Sequence, residues 1–327
     1  MRAWFLRRLL WLVPSFLGLT LVVFVAVRAA PGDPFAMQGE LLGAGTATAD
    51  AIREYRTLMG FDDPPFTGWL KWVGNVARGD FGRSLKDGRP VLEKVREALP
   101  VTLSLSVFAL LLTYLVAIPV GAWSAVRRGA ASERAVTLTL FGLYSLPQQW
   151  VAMVLILVFG LWLDWLPIQG LRTEGAELQG IPGVLDLAKH LVLPLVCLTF
   201  ATFASLSRYV RSSMLEVLQA DFIRTARAKG LPERTVILRH ALRNALTSVV
   251  TLAGLALPTL VGGSVIVERI FGLPGMGRLS FEAILSKDVP VLMGTTSLAG
   301  LLTMLGLVLS DLALAAIDPR VRDGVRS

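Results

Sequence analysis

Thiols, imidazoles and charge are all scarce in this chain of 327 residues. Cys197 is the only cysteine, which excludes an internal disulfide, and its place inside an apolar run suits a buried, inert thiol. The two histidines, His190 and His240, stand far apart in sequence without metal-like partners, so the pattern argues against a metal site. Charged residues make up 17% of the chain against 54% hydrophobic ones. Soluble domains carry about 25% charged residues, so this composition is oilier than a water-soluble core requires. A G-x-x-x-x-G-K-[ST] phosphate loop is also missing, which removes the evident way to cradle ATP. No serine, cysteine or aspartate has a histidine placed by motif, and Asp33 and Glu40 read as an ordinary acidic pair. These absences point away from an enzyme.

Long apolar blocks are present instead. They run over residues 9–29, 101–126, 135–161, 187–209, 245–267 and 291–317. A bilayer-spanning helix needs about 20 mostly apolar residues, so each block qualifies. The short alternating segments of a β-barrel do not occur. The fold class expected is an all-α polytopic membrane protein with six transmembrane helices. Arg2, Arg7 and Arg8 precede the first block, as in a signal peptide. The block is longer than a signal's apolar region, so an uncleaved first helix is expected.

The domain boundaries follow from this pattern. Residues 1–30 hold the N-terminal tail and first helix. Residues 31–100 form a polar segment with nine bases and ten acids. Short helices are expected there over 48–59 and 65–77; Trp69 and Trp72 in the second suit either a membrane-interface belt or a small core. Residues 101–317 form the core with helices two to six, including a basic loop at 210–244, and 318–327 are a tail. No internal repeat or low-complexity tract interrupts this plan.

Charge then assigns sides. The N-terminus, the Arg127–Arg134 turn, the Arg208–Arg243 segment and the tail are basic; the Arg208–Arg243 segment has eight bases against three acids. The alternate loops are near neutral or acidic, with two bases against four acids over 161–190. All loops obey the positive-inside rule, placing both termini in the cytoplasm and 31–100 outside. The net charge of +8 therefore reflects membrane topology and not nucleic-acid binding.

The basic insert ADFIRTARAKGLPERTVILRHALRNAL, residues 220–246, carries the most specific pattern. One helix is expected over Met214–Lys229, with an apolar stripe at Leu215, Leu218, Phe222 and Thr225/Ala226. Gly230 suits a left-handed cap, Pro232 the first turn of the next helix, and Glu233–Leu246 a second amphipathic run. Small residues between Thr225 and Gly230 permit close backbone approach and suit docking into a partner's cleft. Binding of anionic lipid headgroups is the alternative from charge alone.

This stretch resembles the EAA loop of ABC-importer permeases. Arg224, Thr225 and Ala226 occupy the E-A-A positions and Gly230 the glycine, while the later I-x-L-P is replaced by His240-Ala241-Leu242-Arg243. RTARAKGL followed by HALRNAL resembles the variant in the dipeptide/oligopeptide/nickel permease family. RRLLWLVPSFLGLTLVVFVAVRAAPGDP is similar to that family's opening, VIVERIFGLPGMGRL to its segment after the fifth helix, and AAIDPRVR to its ending.

The resemblance implies a transmembrane permease subunit forming half of a pathway for di- or oligopeptides, with nickel or another small solute as the alternative. It implies a homologous second permease, two cytoplasmic ABC ATPases that carry ATP and Mg, an external substrate-binding protein, and location in the inner membrane of a prokaryote. No cofactor is implied in this chain. The coupling surface carried over comprises Asp221, Phe222, Arg224, Thr225, Ala226, Arg227, Ala228, Lys229 and Gly230. A self-contained secondary carrier would instead need buried charge pairs; only Asp311 lies clearly inside a span, where a structural contact or a solvated inner mouth is expected. A scaffold would need no pathway.

Polar residues within spans are candidates for lining that pathway: Ser104, Ser106, Tyr144, Ser145, Gln148, Gln149, Thr259 and Ser264. Helix–helix hydrogen bonding is the other role open to each. Pro119, Pro147, Pro194 and Pro258 are candidate kinks. The loop from Glu268 to Arg278, with Phe271, Pro274 and Gly275, reads as an external turn at the pathway or as a membrane-edge loop.

Overall fold

A computed structural model describes residues 2–29, 53, 56–57, 59–175, 178–256, 258, 260 and 264–317. Among these the chain is helical, apart from loops and one isolated bridge between Arg83 and Pro90. The principal helices are α1 (Arg2–Ala29), α2 (Pro65–Ala77), α3 (Val91–Val126), α4 (Ala131–Ser145), α5 (Gln148–Leu155), α6 (Gly180–Leu218), α7 (Asp221–Ala228), α8 (Glu233–Thr235), α9 (Arg243–Ala256), α10 (Val265–Ile270), α11 (Met276–Leu285) and α12 (Val289–Ile317). A π-helical stretch continues α5 over Ile156–Trp162, and another joins α8 to α9 over Val236–Leu242.

Four helical stretches are long and apolar enough to cross a bilayer: Arg7–Ala29, Val91–Val126, Gly180–Leu218 and Val289–Leu312. A fifth crossing arises if α4 and the α5 stretch to Trp162, bent by 102° at their junction, count as one. The apolar run at 245–267 contributes α9, but residues 257, 259 and 261–263 within it lie outside the described residues. Thr259 and the tail from 318 lie outside them too, as does most of the helix expected over 48–59.

The third run departs from the continuous span expected. Leu146 takes an extended conformation (ψ 132) and Pro147 caps α5. The physical cause is local: a proline ring clashes with an α-helical residue before it and donates no hydrogen bond. Pro194, by contrast, lies inside the unbroken α6, and α3 runs through Pro119. Both helices extend past their apolar runs. At about 1.5 Å per residue they reach roughly 54 and 58 Å, against a hydrocarbon core of about 30 Å.

Contacts divide the chain into two compact units. The first contains residues 1–103 and 257–327. Its core gathers Phe24 of α1, Trp69 and Trp72 of α2, Phe81, Val91 and Val95 of α3, Met276 of α11 and Met293 of α12. The two tryptophans are therefore core residues, and Trp69 Nε1 donates to Thr20 Oγ1 at 3.3 Å. Glycine permits one close approach here, because a Cβ on Gly68 would lie 2.1 Å from the Gly60 carbonyl oxygen. Asp288 caps α12, accepting from Val291 N at 3.4 Å, and binds the loop before α3, accepting from Ser84 Oγ at 2.5 Å and Leu85 N at 3.2 Å. Asp311 on α12 forms an ion pair with Arg8 on α1, the first of the two roles expected of it, a structural contact or a solvated inner mouth.

The second unit, residues 104–256, packs α3, α6, α7 and α9 around Ala117, Val210, Met214, Ile223, Val236, Ala245 and Val249. Glu133, buried at the start of α4, accepts from Arg211 Nη2 at 2.9 Å and from Thr137 Oγ1 at 2.9 Å.

Candidate functional site

The basic insert folds as a helical hairpin, but not as one helix from Met214. The chain breaks at Gln219 and Ala220, where Ala220 is extended (ψ 149) and α7 begins anew at Asp221. The N–H groups of Gln219 and Ala220 donate to the carbonyls of Glu216 and Val217, closing the end of α6. Reorienting α7 changes its buried stripe. Ile223 is fully buried and Ala226 nearly so, whereas Phe222 remains 46% exposed. Of the stripe expected at Phe222 and Thr225/Ala226, Ala226 is buried, and Ile223 takes the place of the exposed Phe222.

Everything else on α7 faces outward. Asp221, Arg224, Thr225, Arg227, Ala228, Lys229 and Gly230 are exposed, the Arg224 side chain by 74%. Gly230 reverses the chain at φ +75, a conformation that side chains with a Cβ avoid, and its N–H donates to the Arg227 carbonyl at 2.9 Å. Pro232 precedes α8 as expected for a proline at a helix start. Across the turn, Arg227 Nη2 and Nε donate to the two Glu233 oxygens at 2.6 and 3.1 Å. That fork holds the Glu233 carboxyl below its usual range, chiefly through the hydrogen bond. Electrostatically, the surface presented is cationic, with small residues between its charges.

The bent junction of α4 and α5 brings three pathway candidates together: Tyr144, Ser145 and Gln148. Tyr144 is 55% exposed. Ser145 Oγ donates to the Phe141 carbonyl at 2.7 Å. Gln148 is half-buried, and its Nε2 donates to the Cys197 carbonyl of α6 at 3.2 Å, while Cys197 Sγ donates to the Gln148 carbonyl at 3.6 Å. Gln149 beside it is exposed. On α3, Ser104 is exposed and Ser106 half-buried.

In the first unit, Glu268, Phe271, Pro274 and Gly275 lie in one compact glycine-rich turn between α10 and α11. Ser264 opens it by capping α10, accepting from Val267 N at 3.3 Å. Glu268 is 2% and Phe271 1% exposed; Pro274 is exposed. The Glu268 carboxylate is held by neutral donors: Thr102 Oγ1 at 2.8 Å, the backbone N–H of Arg278 at 3.0 Å, and that of Gly277. The same Thr102 hydroxyl accepts from Met276 N at 2.8 Å. A groove of about 390 Å³ lies beside the turn, lined by Arg89, Lys94, Glu97, Gly275, Arg278 and Glu282 among others.

Thr102, Arg211 with Glu133, and the Gln148–Cys197 pair were not legible as site elements. A threonine in an apolar run carries no local signal, and the other two join residues far apart in sequence. Among the described residues no group of three or more His, Cys, Asp or Glu is arranged to hold a metal ion.

Several long apolar helices, together with an exposed basic hairpin anchored by two buried side chains, define a multi-pass helical membrane protein. Its family is then specific. The chain belongs to the family of binding-protein-dependent transport system inner membrane components, whose pattern matches residues 117–323. It is 39% identical over 98% of its length to the oligopeptide transport system permease protein AppB of Bacillus subtilis, covering 99% of that protein. It is 37% identical to the dipeptide transport system permease protein DppB of Escherichia coli K12, covering 97% of this chain and 98% of the relative. With the di/tripeptide transport system permease protein DppB of Pseudomonas aeruginosa the identity is 36%, at 97% coverage of each. This chain is accordingly a permease subunit of such a transport system, in the inner membrane.

Proposed function

We propose that this chain forms half of a peptide pathway in an ATP-driven importer and that α7 is its coupling helix. The observation that carries this reading is the division of labour on α7. Ile223 and Ala226 anchor it to the core of its own unit, while Arg224, Thr225, Arg227 and Lys229 are left exposed. A helix held from beneath and open above suits a partner's cleft. In this reading the chain crosses the membrane six times, with both termini and the 210–244 loop cytoplasmic and residues 31–100 external. A homologous second permease completes the pathway, two cytoplasmic ATPases binding ATP and Mg receive the coupling helices, and an external binding protein delivers substrate.

Di- and oligopeptides are the proposed substrate, supported by the peptide permeases to which the chain is similar. Tyr144, Ser145 and Gln148 at the break, together with Ser104, Thr259 and Ser264, are the proposed pathway lining. A broken helix frees backbone groups to line a cavity, as transporters commonly arrange. In this reading the turn at Glu268, Phe271, Pro274 and Gly275 belongs to the external mouth.

Purification of the chain from its native membrane with its partners tests the reading. Two Walker-motif proteins should co-isolate, and Thr225→Cys should cross-link to one of them. Replacing Gly230 with tryptophan should leave ATP hydrolysis running while peptide uptake falls by about tenfold or more, a coupling loss within the usual range. Uptake that stays tied to hydrolysis in that variant would defeat the docking role of α7.

A further inference from the structure

The groove beside the glycine-rich turn is built wholly from the first unit, by residues at the start of α3 and on α11. Its volume of about 390 Å³ falls within the roughly 300–1,000 Å³ of small-molecule sites. Two ion pairs line it, one from the chain entering α3 and one from α11. Arg89 Nη2 donates to Glu97 Oε1 at 2.6 Å, and to Glu93 Oε1 at the same distance. Arg278 Nε donates to Glu282 Oε1 at 2.7 Å. Arg89 and Glu97 are 41% and 60% exposed, Arg278 and Glu282 38% and 47%. Pairs this open to solvent gain little from each other, so the charges of a ligand replace them at small cost. Lys94 lines the groove too but is committed elsewhere, donating to Asp87 Oδ2 at 2.6 Å and Ser84 Oγ at 3.3 Å. The exchangeable charges are therefore two cations and two anions.

The backbone beneath them is fixed. A Cβ on Gly275, which lines the groove, would lie 2.5 Å from the Glu268 carboxylate and 2.7 Å from Thr102 Oγ1. The Arg278 N–H donates to Glu268 Oε2 at 3.0 Å, and the Met276 N–H to Thr102 Oγ1 at 2.8 Å. Side chains of α3 and α10 thus hold the first turn of α11 in place, while the Arg278 and Glu282 side chains stay adaptable. A wall ordered in advance lowers the ordering cost of binding.

Charge balance selects the ligand class. Among the described residues no acidic cluster is arranged for a metal ion. A free anion would meet Glu97 and Glu282 as well as the arginines. A lipid chain would need more apolar lining than Ala98, Pro274 and Leu279 supply. A short peptide with free termini carries one ammonium and one carboxylate, and it satisfies both signs through charge-assisted hydrogen bonds. Resting on the reading of this chain as a peptide-importing subunit, we propose that the groove is a recognition site for both termini of a short peptide on the external side. Glu97 and Glu282 take the ammonium, and Arg89 and Arg278 take the carboxylate.

The test uses the whole transporter reconstituted in lipid: this chain, its second permease and its ATPases, without the binding protein. Equilibrium binding of trialanine is compared with that of N-acetyltrialanine and trialanine amide, each missing one terminal charge. Hydrogen exchange maps where trialanine sits. Each capped peptide should bind about tenfold or more weaker, the loss of one charged hydrogen-bond partner. Trialanine should slow exchange over residues 274–282. Glu282→Gln should weaken trialanine but leave N-acetyltrialanine unchanged, and Arg89→Gln should weaken trialanine but leave trialanine amide unchanged. A merely structural loss would lower all three peptides together and would overturn the assignment. Equal binding of the three peptides by the wild type would overturn it too, as would binding that leaves 274–282 unprotected. If either variant fails to assemble, the capped peptides and the exchange map on the wild type decide alone. Protection of 274–282 by the peptide-free binding protein, with none from trialanine, would make the groove a protein contact and defeat the peptide site. Absence of trialanine uptake by the wild-type transporter with its binding protein is a separate failure, that of the peptide-import reading; uptake with an unprotected groove defeats the groove alone.

Discussion

Arg227 and Glu233 face each other across the Gly230 turn, their guanidinium and carboxylate joined by two hydrogen bonds of 2.6 and 3.1 Å. The fork ties the end of α7 to the start of α8. Both side chains are about half exposed, so solvent screens the pair and its worth is about 0.5 kcal/mol or less. The hydrogen bond lowers the folded-state pKa of Glu233, so its contribution is present above the unfolded value of about 4.3 and disappears as pH falls through the folded value. Amide exchange at Gly230 and Leu231 should be insensitive to this group between pH 8 and 5 and rise in more acidic solution. Arg227→Ala should abolish that acid dependence while leaving thermal unfolding nearly unchanged.

Ile223 and Arg224 are adjacent yet should behave oppositely. Ile223 is fully buried in the core of its unit, so Ile223→Ala should cost about 2–5 kcal/mol through lost burial and the cavity left behind. A lower midpoint of thermal unfolding in detergent would report it. Arg224 is 74% exposed, and Arg224→Ala should stay within about 0.5 kcal/mol of wild type but weaken co-isolation of ATPase partners. Equal destabilisation by both substitutions would contradict the anchoring assigned to α7.

Helix existence was largely legible in the sequence, and helix interruption was not. Pro65–Ala77 emerged with the bounds expected, because its apolar spacing and two opening prolines are local signals. The break at Gln219–Ala220 has no such marker: neither residue is a strong helix breaker, and only the burial of Ile223 and Ala226 shows why α7 turns away from α6. Pro147 was visible as a candidate kink, but its bend of 102° far exceeds a kink. The largely exposed cationic stretch from Arg224 to Gly230 could be read because it is contiguous. The Thr102–Glu268 contact spans 166 positions, and without an alignment nothing in one sequence links its two ends.

The glycines make a sharper stability test than the apolar faces. Gly121→Val would drive its side chain into the Ser207 carbonyl and Val210. Overpacking of this kind costs about 1–3 kcal/mol, so unfolding temperature and yield should both drop. Gly142 on α4 has nothing within 4 Å of its ideal Cβ position, and Gly142→Ala should be neutral to mildly stabilising in the same assay.

Cys197 reports on the broken α4–α5 junction. Its side chain is completely buried, and it exchanges contacts with Gln148, thiol to carbonyl in one direction and amide to carbonyl in the other. As the only cysteine of the chain, it needs no engineered background within this subunit. A maleimide should label it slowly while the junction is seated, because reaction requires an exposed thiolate. Gln148→Leu removes the side-chain donor to the Cys197 carbonyl and should speed labelling several-fold without unfolding the protein. If the junction moves during transport, ATP and the loaded binding protein together should raise the wild-type rate as well. A labelling rate that neither Gln148→Leu nor turnover changes would mean that the bend is a static feature of the helix pair, with the pathway opening elsewhere.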